Sequence, residues 1–249
     1  TTQKIFLLFD ELNSFKEDLY NSFLENLEEN VQVDIFFHHF NKTVFEKLIN
    51  DNTGNYNYYV IMPGNFKNTN QVIQILPKEK VYILDQIHDD LKEYSGIYQH
   101  FENAIYNNLI KAEKFIIKYT HLFLVDADNK QPKGLINGFT RFCMGRKLPY
   151  SIVNSLKNRI PKKGDLYIIP DDKNLLRIIK KSKQERLQIA KDFGIVSYND
   201  TLLKELVEGG ITTISTNFNT MGKRLAEMIS AKEKNQIENS NQLILRNSI

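Results

Sequence analysis

The chain reads as an α/β protein built from two doubly wound parallel sheets. Three observations predict this. Short, nearly continuous apolar runs recur along the chain, each is followed by a segment with apolar residues at helical spacing, and most runs stop at Asp, Asn, Gly or Pro. Strands covered on both faces lose the alternation of half-exposed strands, and parallel strands need helical crossovers between them.

In order, KIFLLF (4–9) is a buried strand, and Phe15, Leu19, Phe23 and Leu27 then form one stripe of a helix over 14–29, with Asn13 or Ser14 as its N-cap. VQVDIFF (31–37) is a strand, 42–50 a helix, and YYVIM (58–62) a strand stopped by Pro63-Gly64. Residues 68–76 are helical and VYIL (81–84) is a strand ending at Asp85. The charged, Tyr-rich stretch 88–100 reads as a loop before a long helix over 102–118. The alternation then restarts, with strands at 121–125, 150–153 and 165–169, and helices at 132–145 and 172–190, the latter breaking near Ser182. GIVSY (194–198) is an apolar strand with a polar tip, followed by a short helix, a Gly209-Gly210 turn and a β-branched strand ending at Asn217 and Phe218. A helix over 219–232, an exposed polar loop over 232–241 and a last strand at 242–246 complete the chain.

Composition narrows the function. The 33 basic and 30 acidic residues nearly cancel, which argues against a nucleic-acid grip through this chain's own surface. The single cysteine, Cys143, excludes an internal disulfide and lies on the apolar side of a helical pattern, where it packs rather than reacts. With no apolar run long enough to span a membrane and no signal-peptide layout at the start, a cytosolic location is expected.

The chemistry collects at the strand tips: Asp10, Asn13 and Phe15, then Pro63 to Asn65, then Asp85 and Gln86 in the first half, followed by Asp126 and Asp128, Asp171 and Asp172, and Tyr198 to Asp200 in the second. In open α/β sheets, ligands bind past the carboxyl ends of the strands. Carboxylates and amides at fixed geometry satisfy several hydroxyls, and an aromatic ring covers an apolar C–H face, so this set suits a sugar or small polyol. Asn13, Asp172 and Asp200 also stand where helix N-caps are needed, and capping and binding can coexist. Catalytic and cofactor signatures are missing. The turn after the first strand is DELNSF rather than a G-x-G-x-x-G, no phosphate loop or G-x-S-x-G elbow occurs, and the adjacent His38 and His39 point to opposite faces. Neither an enzyme, nor a cofactor, nor a metal centre is expected, and binding outranks catalysis.

GIVSYNDTLLKELVEGGITTISTNFNTMGKRLAEMI, with Tyr198-Asn199-Asp200-Thr201, Ile211 to Ile214, Asn217-Phe218 and Met221-Gly222, resembles the terminal part of the effector domain of LacI/GalR-type transcription regulators. LNSFKEDLYNSF (12–23), VYILDQ (81–86), GLINGF (134–139) and ILRNS (244–248) resemble further segments of that family. The resemblance implies a periplasmic-binding-protein-like fold of type I: two doubly wound lobes joined by crossovers, comprising residues 1–117 with 217–241 and 118–216 with 242–249. It also implies a small-molecule effector in the interlobe cleft, a monosaccharide or sugar phosphate, together with a homodimer, and operator DNA bound only through an N-terminal domain outside this chain. Tyr98-Gln99 and the Arg246-Asn247-Ser248 ending are similar to LacI-like sensor domains carried by GntR-type winged-helix proteins. By motif position the ligand-binding residues are Asp10, Asn13, Phe15, Asp85, His100, Asp171, Asn199 and Phe218.

Two departures alter the expected pocket. The family arginine in R-L-x-G-F is Leu135, and an Asp-Asn pair is replaced by His100-Phe101, which makes the pocket less polar and suits a deoxy sugar. An exported sugar-binding protein of a transporter is the alternative with the same fold.

Overall fold

The computed structural model describes residues 1–249. The contacts divide the chain into two compact units, Thr1–His100 with Asn217–Ser240 and Phe101–Thr216 with Asn241–Ile249.

In the first unit, β1 (Gln3–Phe9), α1 (Ser14–Glu25), β2 (Val31–Phe37), α2 (Lys42–Asp51), β3 (Tyr58–Ile61), α3 (Asn70–Ile73), β4 (Val81–Asp85) and β5 (Ser95–Tyr98) follow in sequence. The second unit opens with α4 (Phe101–Lys111), α5 (Glu113–Ile116), β6 (His121–Val125), α6 (Lys133–Gly145), β7 (Tyr150–Val153), β8 (Asp165–Ile169), α7 (Asp172–Gln184), β9 (Gly194–Tyr198), α8 (Leu202–Leu206) and β10 (Thr212–Thr216). α9 (Phe218–Ser230) and β11 (Gln236–Glu238) return to the first unit, and β12 (Asn241–Ile244) closes the second.

Each unit is one six-stranded sheet, ordered β11-β5-β4-β3-β1-β2 and β12-β10-β9-β8-β6-β7. All pairings in the first sheet are parallel; in the second, β12 runs antiparallel to β10, so that sheet is mixed at its edge. The strand order reverses at β1/β3 and at β6/β8, the switch points where the carboxyl ends open a crevice.

Both faces of each sheet are buried. On the first, Leu7, Phe9 and Leu84 meet Phe23, Met221 and Leu225, while Phe6, Leu8 and Ile83 meet Phe45, Ile49 and Leu91. On the second, Leu122, Leu124 and Val196 meet Ile105, Phe139 and Cys143, while Phe123, Val125 and Tyr167 meet Leu175, Ile178 and Phe193. Cys143 is fully buried, and burial pushes its thiol up to about 12, which leaves it protonated and inert.

One helix pair in each unit crosses at a glycine. A Cβ on Gly222 of α9 would lie 2.6 Å from the Leu19 carbonyl oxygen of α1, and one on Gly138 of α6 would lie 2.4 Å from the Glu102 carbonyl oxygen of α4.

Several expectations need correction. The stretch 88–100 contains β5, and the polar segment 232–241 contains β11, which pairs in parallel with it through Ile237↔Ile97. Only Ile97 of β5 is strongly apolar, and an edge strand such as β11 is solvated, so neither carries a hydrophobic run. The long helix over 102–118 is two, broken at Ala112. Phe101, Ile105 and Leu109 of α4 belong to the same core as α6, and the contacts divide the chain between His100 and Phe101. Residues 68–76 hold a single helical turn, α3, and the helix begun at Asp172 ends at Gln184.

Candidate functional site

At the carboxyl edge of the first sheet, β1 ends in Asp10, which is 7% exposed, and the Lys16 ammonium on the first turn of α1 pairs directly with its Oδ1. Lys16 is itself only 7% exposed, and α1 brings it back over the strand end because Asn13 caps the helix, its Oδ1 accepting the Lys16 N–H at 3.1 Å. Phe15 stacks on Phe218, the first residue of α9, with ring centroids 5.2 Å apart.

Two strands along, Asp85 terminates β4 in a left-handed conformation, φ 77°. Gln99, just past β5, donates from Nε2 to Asp85 Oδ1 at 2.6 Å and from its backbone N–H to the Asp85 carbonyl at 2.9 Å. Burial and the neighbouring Asp10 push the Asp85 carboxyl up to about 6, against the pull of Lys16 and Gln99. The Lys16 ammonium thus contacts Asp10 and acts on Asp85 only through its field. Behind them His38 is fully buried, its Nε2 2.9 Å from the Met62 carbonyl and its Nδ1 accepting the Phe40 N–H at 3.1 Å, an arrangement for the neutral ring. Burial holds its pKa below the usual range. His39 is exposed, and His100 is exposed at the exit of β5.

The second sheet uses its tips differently. Asp126 after β6 is 6% exposed and accepts the Gln131 N–H at 3.0 Å. Asp171, not Asp172, caps α7, and both its oxygens are engaged, by the Asn174 N–H and by Asn174 Nδ2. Thr201, not Asp200, caps α8. Asp200 instead forms a two-point pair with Arg246 at 2.6 and 2.7 Å. Burial opposes its ionisation, but Arg246 outweighs it and holds the carboxyl below the usual range. Leu135, at the position of the family arginine, lies in the apolar core. Arg141 of α6 lies over the Tyr106 ring at 3.8 Å, and Lys133 is exposed.

Asn199 follows β9 in a left-handed conformation, φ 66°, and is 9% exposed. Its Oδ1 is buried without a hydrogen-bond partner. Lys204 lies below it, 1% exposed, donating to the Tyr198 carbonyl at 3.0 Å and the Asn199 carbonyl at 2.7 Å, with Asp172 Oδ1 at 3.7 Å. Burial draws its pKa down to about 8, against Asp172, Asp200 and Asp171. Buried polar groups are almost always satisfied, so Asn199 Oδ1 has acceptor capacity left over, as have the Tyr82 hydroxyl and Asn108 Oδ1 in the cores.

Of the eight residues singled out from the sequence, the structure brings Asp10, Asn13, Phe15, Asp85 and Phe218 to the first unit's carboxyl edge, and Asp171 and Asn199 to the second's. Lys16, Gln99 and Lys204 were not singled out. Lys16 sits beside the apolar stripe of α1 and Lys204 inside LLKEL, and neither position distinguishes a buried lysine from a solvated one.

Residues 127–249 match the family model described as Periplasmic binding protein-like domain. A comparison with curated protein sequences gave no match. Among solved structures, a LacI family transcriptional regulator from Silicibacter pomeroyi is 16% identical with a TM-score of 0.82, covering 99% of this chain and 98% of that one. The trehalose repressor from Escherichia coli is 14% identical with a TM-score of 0.81, covering 98% of this chain and 100% of that one. A LacI family regulator from Lactobacillus casei with bound glucose is 12% identical with a TM-score of 0.80, covering 100% of both chains. At these identities the likeness is one of fold. Residues 127–249 are thus similar to a periplasmic-binding-protein-like domain, and over its whole length the chain has the type I periplasmic-binding-protein-like fold seen in these regulators.

Proposed function

We propose that this chain is the ligand-sensing domain of a sugar-responsive transcription regulator, that it acts without catalysis, and that it works in the cytosol as a homodimer. The observation that carries the reading is the unpaired acceptor Asn199 Oδ1, buried at a strand tip of a fold whose solved examples include a regulator with bound glucose. The proposed contacts are Asp10, Asn13, Phe15, Asp85, His100, Asp171, Asn199 and Phe218. Asn13 and Asp171 also serve as caps, and Phe15 and Phe218 offer stacked rings for a sugar's apolar face.

A ligand that favours one of two arrangements of the protein shifts their populations. On this reading the shift passes to a DNA-binding domain joined on the N-terminal side. Titration calorimetry against glucose, ribose, sucrose, cellobiose and a deoxy sugar should find a binder that Asn199→Ala and Phe218→Ala weaken. Silence across the panel would sink the reading.

A further inference from the structure

The first sheet covers its outer parallel strand with a helix, and the second does not. In the first unit the edge strand β2 returns to β3 through α2, which buries Phe45 and Ile49 against the sheet. In the second, the edge strand β7 returns to β8 through residues 154–164, where the helix usual in a parallel connection is missing. This connection lays Leu156 and Arg159 over the sheet, the guanidinium 4.2 Å from the centre of the Phe123 ring, and leaves the flank of β7 in solvent.

Half of the β7 main chain on that flank is unused. The Pro149 and Val153 carbonyls accept from the Leu122 and Asp126 N–H groups on the β6 side, so the alternate residues Tyr150 and Ile152 turn their N–H and C=O outward. The strand itself, Tyr-Ser-Ile-Val in regular register, has none of the prolines, bulges or charges that blunt an edge. Large apolar side chains stay exposed around it: Met144 before it, Ile152 on it at 41% exposure and Ile160 beyond it. Charge is one-sided as well, since residues 129–164 hold nine Lys and Arg and no Asp or Glu. Glu113 holds Arg146 and Asp165 holds Arg159, whereas Lys147 before β7 and Lys157 and Lys162 after it are exposed and meet no carboxylate.

Together these features select an occupant. An open ladder accepts an extended backbone, exposed apolar groups accept alternate side chains from it, and uncompensated ammonium groups attract carboxylates. A nucleic-acid duplex would use the charge and waste both the ladder and the apolar groups. A second copy paired through β7 would set these lysines against one another. We propose that β7 is a docking edge for an extended acidic segment of a partner protein, which adds to the second sheet as a new outer strand. This goes beyond the sensing reading and involves none of the proposed sugar contacts.

The test uses the 249-residue chain with dye-labelled probes followed by fluorescence anisotropy: a capped peptide alternating glutamate and valine, its lysine–valine counterpart, and a DNA duplex of arbitrary sequence. The acidic peptide should bind, and salt should weaken it. Ile152→Pro removes an outward N–H that the β6–β7 ladder does not use, so circular dichroism should stay unchanged while binding falls by about tenfold or more. Lys147→Glu combined with Lys157→Glu leaves the ladder whole and should weaken the acidic peptide by a similar factor. Should Ile152→Pro fail to fold, the charge-reversed variant decides alone. Silence of the acidic peptide, equal affinity for the basic one, tighter binding of the duplex, or an affinity that either folded variant leaves unchanged would each overturn the proposal. So would a loss of self-association in folded Ile152→Pro, seen by sedimentation, because the edge would then belong to a second copy.

Discussion

The two units share a topology and treat their strand tips in opposite ways. After the switch-point strand of the first, Asp10 is drawn into an ion pair with Lys16 and shares its field with Asp85, so charge accumulates. The equivalent tip of the second, Asp126, merely closes its own turn on Gln131, and each further carboxylate is assigned a structural partner: Asp171 to α7, Asp200 to Arg246, Asp172 to the side of Lys204. What the second unit leaves open is a neutral amide oxygen; what the first leaves open is half a carboxylate. One scaffold can thus spend its polar groups on its own backbone or hold them in reserve, and the hydrogen-bond partners show which has been done.

The largest effect should come from removing the lysine under Asn199. Lys204→Met strands two buried carbonyls, and about 3 kcal/mol of stability should be lost in urea unfolding. A loss below about 1 kcal/mol would show that water can replace the ammonium at this tip.

The glycine crossings come next and test whether the units are equally tight. Gly138→Ala and Gly222→Ala each place a methyl against a neighbouring helix backbone, and each should cost about 2–3 kcal/mol. A marked inequality would show that one helix pair can slide apart and the other cannot.

Acidity distinguishes the two edges more finely. The folded pKa of Asp85, about 6, lies above its ordinary 3.8, so the folded state holds the extra proton between those values. The stability Asp85 contributes is present below the ordinary pKa and is lost as pH rises through about 6. Asp85→Asn should flatten the pH dependence of the melting temperature across that window. An unchanged slope in Asp85→Asn would remove the first unit's claim to a reserve of charge.

The smallest effects belong to the caps and the surface. Asn13→Ala and Asp171→Ala should each cost about 1 kcal/mol, one cap in each unit. Lys47→Ala, which breaks an exposed pair with Asp51, should change stability by less than about 0.5 kcal/mol.

Much of this was legible in the sequence. The runs KIFLLF, VYIL, HLFLV and DLYII are strands where their apolar continuity placed them, because a strand buried on both faces needs no tertiary information to be recognised. Asn13 as a cap and Cys143 as core were likewise visible, since both follow from local pattern. β5 and β11 were not, because β5 is four residues with one strongly apolar side chain and the edge strand β11 is held by the ladder beside it rather than by its own hydrophobicity.

The sequence by itself determined the fold class, the list of polar strand tips and the family likeness, all of which rest on short-range periodicity and on motifs read along the chain. Only the tertiary structure decided which tips are free. Asp10 meets Lys16, Asp200 meets Arg246 forty-six residues away, and Lys204 turns back under Asn199, leaving Asp85 and Asn199 with unspent acceptors. The reason is physical: the availability of a polar group depends on partners and on exclusion of water, and burial sets both only after the chain has folded.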